Sequence, residues 1–130
     1  MLKAAIEQAK RKISALTDDL ELSLLHTDVN GANIFVKDGE LEGVIDWSDA
    51  KYGDWLFDFA RFRMNIRQRM DDRALEAYFS GAQLSDVEKQ REETYYLLNV
   101  LDYTNWYVRY GWDEMVLMQM DLLGEIQNDS

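Results

Sequence analysis

His26-Thr27-Asp28-Val29-Asn30-Gly31-Ala32-Asn33 is the stretch on which the reading of this chain turns. It holds the one histidine, and its polar residues are spaced H-x-D-x-x-x-x-N. An apolar run, Leu22-Ser23-Leu24-Leu25, precedes it, and a strand-like run, Ile34-Phe35-Val36, follows. Leu22 to Leu25 reads as a short buried strand feeding a polar loop. Ile34 to Lys37 reads as the next strand. Asp38-Gly39 is a strong hairpin-turn signal. Leu41 to Ile45 returns, with Gly43 marking a bulge or a close backbone approach. Asp46-Trp47-Ser48-Asp49 leaves that strand's end.

Further out the pattern is helical. Met1 to Leu16 reads as an amphipathic helix with Leu2, Ile6, Ile13 and Leu16 apolar, ended by Thr17-Asp18-Asp19. From Asp54 onward, Leu56, Phe59, Ala60 and Met64 recur at helical spacing. Asp71-Asp72 can cap a short helix from Arg73 to Phe79, closed by Ser80-Gly81. Ser85 followed by Glu88 is a capping-box signal for a long helix to about Tyr110, with Gly111 as its C-cap. Trp112 to Ile126 completes the set, with Met115, Met118 and Met120 read as core filler. The expected fold is α+β and mostly α: a small antiparallel β-hairpin element with its polar loop, packed on a helical bundle. Residues 1–130 are expected to form a single domain.

Composition narrows the chemistry. The 130 residues are 47% hydrophobic and 12% aromatic, which fits a domain with its own core and excludes a disordered tail. With 14 basic and 25 acidic residues the formal net charge is -11. Such a surface repels phosphate backbones, which argues against nucleic acid as a partner. It would attract a polycationic small molecule, although net charge also serves solubility alone. No cysteine is present, so disulfides and thiolate metal sites are excluded, and one histidine excludes a multi-histidine zinc site. No apolar stretch reaches membrane-spanning length, and the cytoplasm is the default expectation.

The loop's spacing is that of the loop that positions the acceptor hydroxyl in protein kinases. Phosphoryl transfer needs a hydroxyl held in line and phosphate charge neutralised by a divalent metal. Asp28 can accept or orient the hydroxyl proton. Asn33, five residues on, can turn its side-chain oxygen to a metal. A hairpin returns Asp46 beside the loop, so Asn33 and Asp46 can share Mg2+, which favours a few hard oxygen ligands. Taken singly, each residue has a plainer role. Asp28 and Asn33 are common turn formers, Asp46 can cap, and His26 can be a satisfied core histidine bonding the loop backbone. It is their conjunction, in order and around a hairpin, that points to phosphotransfer.

Three motifs together carry a family resemblance. His26-Thr27-Asp28-Val29-Asn30-Gly31-Ala32-Asn33 is similar to the H-G-D-x-x-x-x-N loop of the aminoglycoside phosphotransferase and choline-kinase-like superfamily. Val44-Ile45-Asp46-Trp47 resembles its V-I-D-W metal segment. Gly53-Asp54-Trp55-Leu56-Phe57-Asp58-Phe59-Ala60 resembles its G-D-P-x-x-D-L-A segment. The wording is closest to the hygromycin-type antibiotic phosphotransferases. The resemblance covers Leu20 to Phe62 strongly, and implies Asp28 as catalytic base, Asn33 and Asp46 as magnesium ligands, and Asp58 as the aspartate that braces the loop through backbone N–H groups. It implies ATP or GTP as donor. Thr27 departs from the usual glycine, Gly31-Ala32 from Pro-Gly, Asn30 from a frequent histidine and Trp55 from proline.

The resemblance is to a C-terminal lobe. Family members also carry an N-terminal lobe over the ATP phosphates, and no strand-borne glycine-rich loop precedes Leu20. The residues before it are too few for a five-stranded lobe, so that lobe is expected to be absent and the chain inactive without it. Asp102, Asn105, Trp106 and Arg109 share a helix face. Asp49, Asp102 and Trp106 are candidate contacts to a cationic or hydroxyl-bearing substrate, with core packing the plainer role for Trp106. Apolar surface exposed around Ile34 and Phe35 leads to the expectation of a homodimer. The alternative is a non-catalytic remnant acting as a small-molecule-binding or assembly module.

Overall fold

The computed structural model describes residues 1–16, 20–69 and 72–128. Thr17-Asp18-Asp19, expected to end the first helix, and Asp71, half of an expected cap, lie outside the described residues. The chain forms two compact units, one comprising Met1–Asp18 and Leu84–Ser130, the other Asp19–Gln83. Among the described residues, five helices and two small antiparallel sheets make the fold mostly helical.

The helical unit contains α1 (Leu2–Ser14), α4 (Asp86–Tyr110) and α5 (Asp113–Asn128). Its core is built from Ala5 and Ala9 of α1, Leu97 and Val100 of α4, and Leu122 and Leu123 of α5. The larger α1 residues Leu2, Ile6 and Ile13 are partly exposed instead. The small alanines, one turn apart, form the buried stripe. The long α4 starts where the sequence signalled. The Ser85 hydroxyl accepts from the Glu88 N–H, and the Glu88 carboxylate accepts from the Ser85 N–H. It stops at Gly111, whose φ of 70° is the left-handed conformation glycine adopts without penalty. On α5 the core positions are Gln119, Leu122 and Leu123, while Met115, Met118 and Met120 are only half-buried.

The second unit contains β1 (Leu22–Leu25), β2 (Ile34–Lys37), β3 (Glu40–Val44), β4 (Lys51–Asp54), α2 (Leu56–Gln68) and α3 (Asp72–Ala82). β2 and β3 form the expected hairpin. Asp38 and Gly39 both take positive φ, as a two-residue type I′ connection requires. The register skips Glu42 between the Phe35↔Gly43 and Val36↔Leu41 pairs, so the bulge lies beside Gly43. β1 pairs antiparallel with β4. Leu22 and Leu24 are exposed and, of the three leucines, only Leu25 is buried, which corrects the reading of a buried strand. A two-stranded sheet has one covered face at most, so alternate residues meet solvent. The α3 helix runs through Gly81 to Ala82, and the chain turns at Gln83 with φ 47°.

This topology sets up the site. The β1–β4 pairing ends at Leu25↔Lys51, and the β2–β3 pairing begins at Ile34↔Val44. Two loops, residues 26–33 and 45–50, therefore span between the same two sheet ends. Residues on those loops are forced to be neighbours, although they are about twenty apart in sequence.

Candidate active site

Asp58, in the first turn of α2, is the anchor of the first loop. Its two carboxylate oxygens accept separately from consecutive backbone N–H groups, Oδ2 from His26 at 2.6 Å and Oδ1 from Thr27 at 2.9 Å. The helix continues along the loop. Asn65 donates to the Val29 carbonyl, and the Arg69 guanidinium lies against Gly31, where a Cβ would come 2.9 Å from Nη1. Asp58, Asn65 and Arg69 fall on one stripe of α2 at i, i+7 and i+11, a length of about 16 Å. The stripe is visible in the sequence as a helical repeat, although the family motif marks only Asp58.

His26 is almost fully buried and uses both ring nitrogens. Nε2 donates to the Ile45 carbonyl at 2.6 Å, and Nδ1 accepts from the Asp28 N–H at 3.2 Å. The two bonds select the tautomer with the proton on Nε2. Trp47 packs on the ring edge to face at 4.7 Å. His26 thus joins the two loops and holds the backbone of Asp28.

The Asp28 carboxylate is flanked by two amides. Asn30 Nδ2 donates to Oδ1 at 3.1 Å and Asn33 Nδ2 donates to Oδ2 at 3.2 Å. Each oxygen keeps a lone pair for a hydroxyl. Both amides also donate to the Asp28 carbonyl, and Asn30 Oδ1 accepts from the Ala32 N–H at 2.9 Å, which closes the loop on itself. The Asn33 nitrogen is committed to Asp28, and its Oδ1 takes no hydrogen bond among the described residues.

The second loop is pinned to the first at its start. Ile45 N–H donates to the Asn33 carbonyl at 2.9 Å, one residue before Asp46. Asp46 takes φ 63°, unusual for a residue with a Cβ, and its Oδ1 accepts from Ser48 Oγ at 2.9 Å. The oxygens of Asn33 and Asp46 are a donor set of the hard type that Mg2+ favours. Among the described residues no three His, Cys, Asp or Glu side chains converge.

The remaining candidates are distributed. Asp49 lies on the second loop with its carboxylate exposed, and its carbonyl accepts from Thr27 Oγ1 at 3.0 Å. Asp102 and Trp106, one turn apart, lie on the exposed face of α4 in the helical unit. Trp106 is 42% exposed rather than packed in the core. It sits in a ring cluster with Tyr110 at 4.6 Å, Trp112 at 5.0 Å and Tyr107 at 5.4 Å.

Comparison with known proteins agrees with this geometry. The profile of the phosphotransferase enzyme family (APH) matches residues 2–94, a span that includes every residue of both loops. No curated protein matches the chain. Among solved structures, a thermostable mutant of aminoglycoside phosphotransferase APH(4)-Ia, in ternary complex with AMP-PNP and hygromycin B, matches with a TM-score of 0.74 at 22% identity. The match covers 96% of this chain and 43% of that one. The apo form of a thermostable mutant matches with a TM-score of 0.74 at 23% identity, over 98% of this chain and 44% of that one. Another structure of APH(4)-Ia gives 0.65 at 22% identity, over 96% and 43%. The chain thus shares the kinase-like fold of these proteins and spans less than half of their length.

Proposed function

The chain belongs to the phosphotransferase enzyme family, and from that premise we propose that it carries the acceptor and metal side of a phosphoryl-transfer site for a small hydroxyl-bearing, cationic molecule of the aminoglycoside type. The observation that carries this is the pairing of Asp28 with Asn33: one amide nitrogen holds the carboxylate while its oxygen is left for a cation. In this reading Asp28 orients the acceptor hydroxyl and takes its proton as that oxygen bonds to the terminal phosphorus of ATP or GTP. The bond from phosphorus to the bridging oxygen breaks, and the nucleoside diphosphate leaves. Asn33 Oδ1 and the Asp46 carboxylate would hold Mg2+, which when bound offsets the charge of the phosphates. Asp58 and His26 keep Asp28 in place through the loop backbone. Asp49 on the second loop, and separately Asp102 and Trp106 on α4, offer carboxylate and ring surfaces of the kind a polycationic substrate would meet, in keeping with the net charge of -11.

We read the chain as the C-terminal lobe of such an enzyme, with turnover requiring a lobe that covers the nucleotide, supplied in the same protein or in trans. The test is transfer of labelled terminal phosphate from ATP or GTP to aminoglycosides, with Mg2+ and a family N-terminal lobe added. Transfer that depends on Mg2+ is expected, and Asp28→Asn should reduce its rate by about 10²–10⁴-fold while the thermal midpoint stays near that of the wild type. No transfer to any aminoglycoside or choline-like alcohol under those conditions would overturn the reading. Binding of the antibiotic without nucleotide, by calorimetry, would then favour a small-molecule-binding module.

A further inference from the structure

Thr27 occupies a position where its type is disfavoured. Its φ is 68°, in the left-handed region that a β-branched residue rarely adopts. It is nevertheless 7% exposed and fully engaged. Its N–H is held by Asp58, and its hydroxyl donates across to the Asp49 carbonyl at 3.0 Å. Glycine would meet the backbone demand without strain, but could not make that second bond.

The bond matters because of where it falls. The second loop is tied to the first at Ile45, whose N–H bonds the Asn33 carbonyl and whose carbonyl accepts from His26. Both ties lie on the near side of Asp46. The Thr27 hydroxyl holds Asp49, on the far side. Asp46, itself at φ 63°, is therefore bracketed, and the Asp49 carbonyl that accepts this bond sits in a turn closed by Ala50 N–H to the Trp47 carbonyl. Beyond Asp46 the loop is otherwise held by Trp47 against the His26 ring and, from Lys51 on, by the β1–β4 pairing, so the Thr27 hydroxyl supplies the hydrogen bond between the two loops on that side.

We propose that Thr27 is a positioning residue, whose hydroxyl bond to the Asp49 carbonyl fixes the loop carrying Asp46 against the loop carrying Asp28 and Asn33. The strain at Thr27 is retained because the side chain does what the backbone alone would not. The consequence for cation binding rests on the proposed reading of Asn33 and Asp46; the consequence for loop mobility does not.

The experiment compares Thr27→Gly, Thr27→Val and Thr27→Ser in the full chain by two measurements. The first is hydrogen exchange of the Ala50 amide. The second is titration with Mn2+ alone, read as paramagnetic broadening of the ring protons of His26, the chain's one histidine. Thr27→Gly should keep a thermal midpoint close to wild type, because relief of φ offsets the lost bond. Its Ala50 amide should exchange faster, and Mn2+ should bind about tenfold more weakly. Thr27→Val should show the same two losses with a lower midpoint. Thr27→Ser, which restores the donor, should return both to near wild type. Wild-type exchange in the Gly and Val variants, or failure of Ser to rescue, overturns the proposal. If Mn2+ leaves His26 unbroadened in the wild type, the cation reading of Asn33 and Asp46 fails. The exchange rates then decide the role of Thr27 alone: faster in Gly and Val supports it, unchanged rejects it.

Discussion

The loop unit and the helical unit solve the problem of order differently. All four non-glycine residues with positive φ among those described, Thr27, Asp38, Asp46 and Gln83, belong to the loop unit. Among the described residues of the helical unit the one positive φ is that of Gly111. A left-handed residue with a Cβ costs about 1–2 kcal/mol. The loop unit bears that cost at Thr27 and Asp46 because hydrogen bonds from distant residues over-determine the backbone there: Asp58, Asp49, Asn33 and Ile45 all contribute. The helical unit instead relies on a capping box, a glycine stop and apolar residues at helical spacing. Strain gathers where geometry must be specific, and it persists only where polar bonds hold it.

Removing the anchor of each unit tests that contrast with the largest effect. Asp58→Ala deprives two consecutive N–H groups of their acceptor, and should lower stability by about 2–6 kcal/mol, at roughly 1–3 kcal/mol per orphaned group. Leu97→Ala empties a fully buried site and should cost about the same, 2–5 kcal/mol. Chemical denaturation measures the totals, and hydrogen exchange separates the causes. Exchange should rise most at Thr27 and Ile45 in Asp58→Ala, and most at the α4 core amides in Leu97→Ala. Asp58→Asn, which keeps one acceptor oxygen, should fall between wild type and Asp58→Ala. Identical exchange patterns in the two alanine variants would remove the distinction between the units.

A smaller effect, opposite in sign, sharpens it. Gln119 on α5 is fully buried, and neither polar atom of its side chain has a partner among the described residues. The amides of the candidate site, Asn30, Asn33 and Asn65, all donate to the loop. A polar group in an apolar helical core is costly when unpartnered, so Gln119→Leu should stabilise the chain by about 1–2 kcal/mol. A shift of the denaturation midpoint to higher denaturant, at unchanged slope, is the expected result. Destabilisation would mean that the amide has a partner in solution, and the helical unit would then be as polar in its design as the loop unit.

How much of this could be read beforehand follows the same division. Local signals were sufficient for α4, because the capping box and Gly111 act within a few residues of the helix they bound. The hairpin was legible for the same reason. β4 was not. Lys51-Tyr52-Gly53-Asp54 has neither apolar alternation nor β-branched residues, and it is a strand because β1 pairs with it. Gly53 leaves room there for the Leu25 side chain, whose Cδ1 a Cβ would approach to 2.7 Å. Leu22 to Leu25 looked buried because apolar runs suggest two covered faces, and only tertiary structure says how many there are. The placement of Asp28, Asn33 and Asp46 on neighbouring loops followed from the hairpin. The work of Thr27 did not, because its partner lies 22 residues away and is a backbone carbonyl.

The smallest expected effect isolates a purely local bond. At the start of α4, the N–H and the hydroxyl of Ser85 hold the Glu88 carboxylate below the usual glutamate range, the backbone bond contributing most. A group whose value is depressed in the folded chain stabilises it above its unfolded value, and loses that contribution as pH falls through the folded one. The capping box should therefore be intact at neutral pH, and α4 should fray at its N-terminus on acidification below the ordinary glutamate range. Glu88→Gln keeps an acceptor for the Ser85 N–H but cannot titrate, so helicity by far-UV circular dichroism should lose this acid-dependent part while changing little at neutral pH. Because Ser85 and Glu88 are three residues apart, the loss should stay in the first turn and leave the exchange of the Ala50 amide unchanged. An acid transition of the same size in Glu88→Gln as in wild type would place the titrating group elsewhere, and the helix start would no longer be an instance of order set by neighbours in sequence.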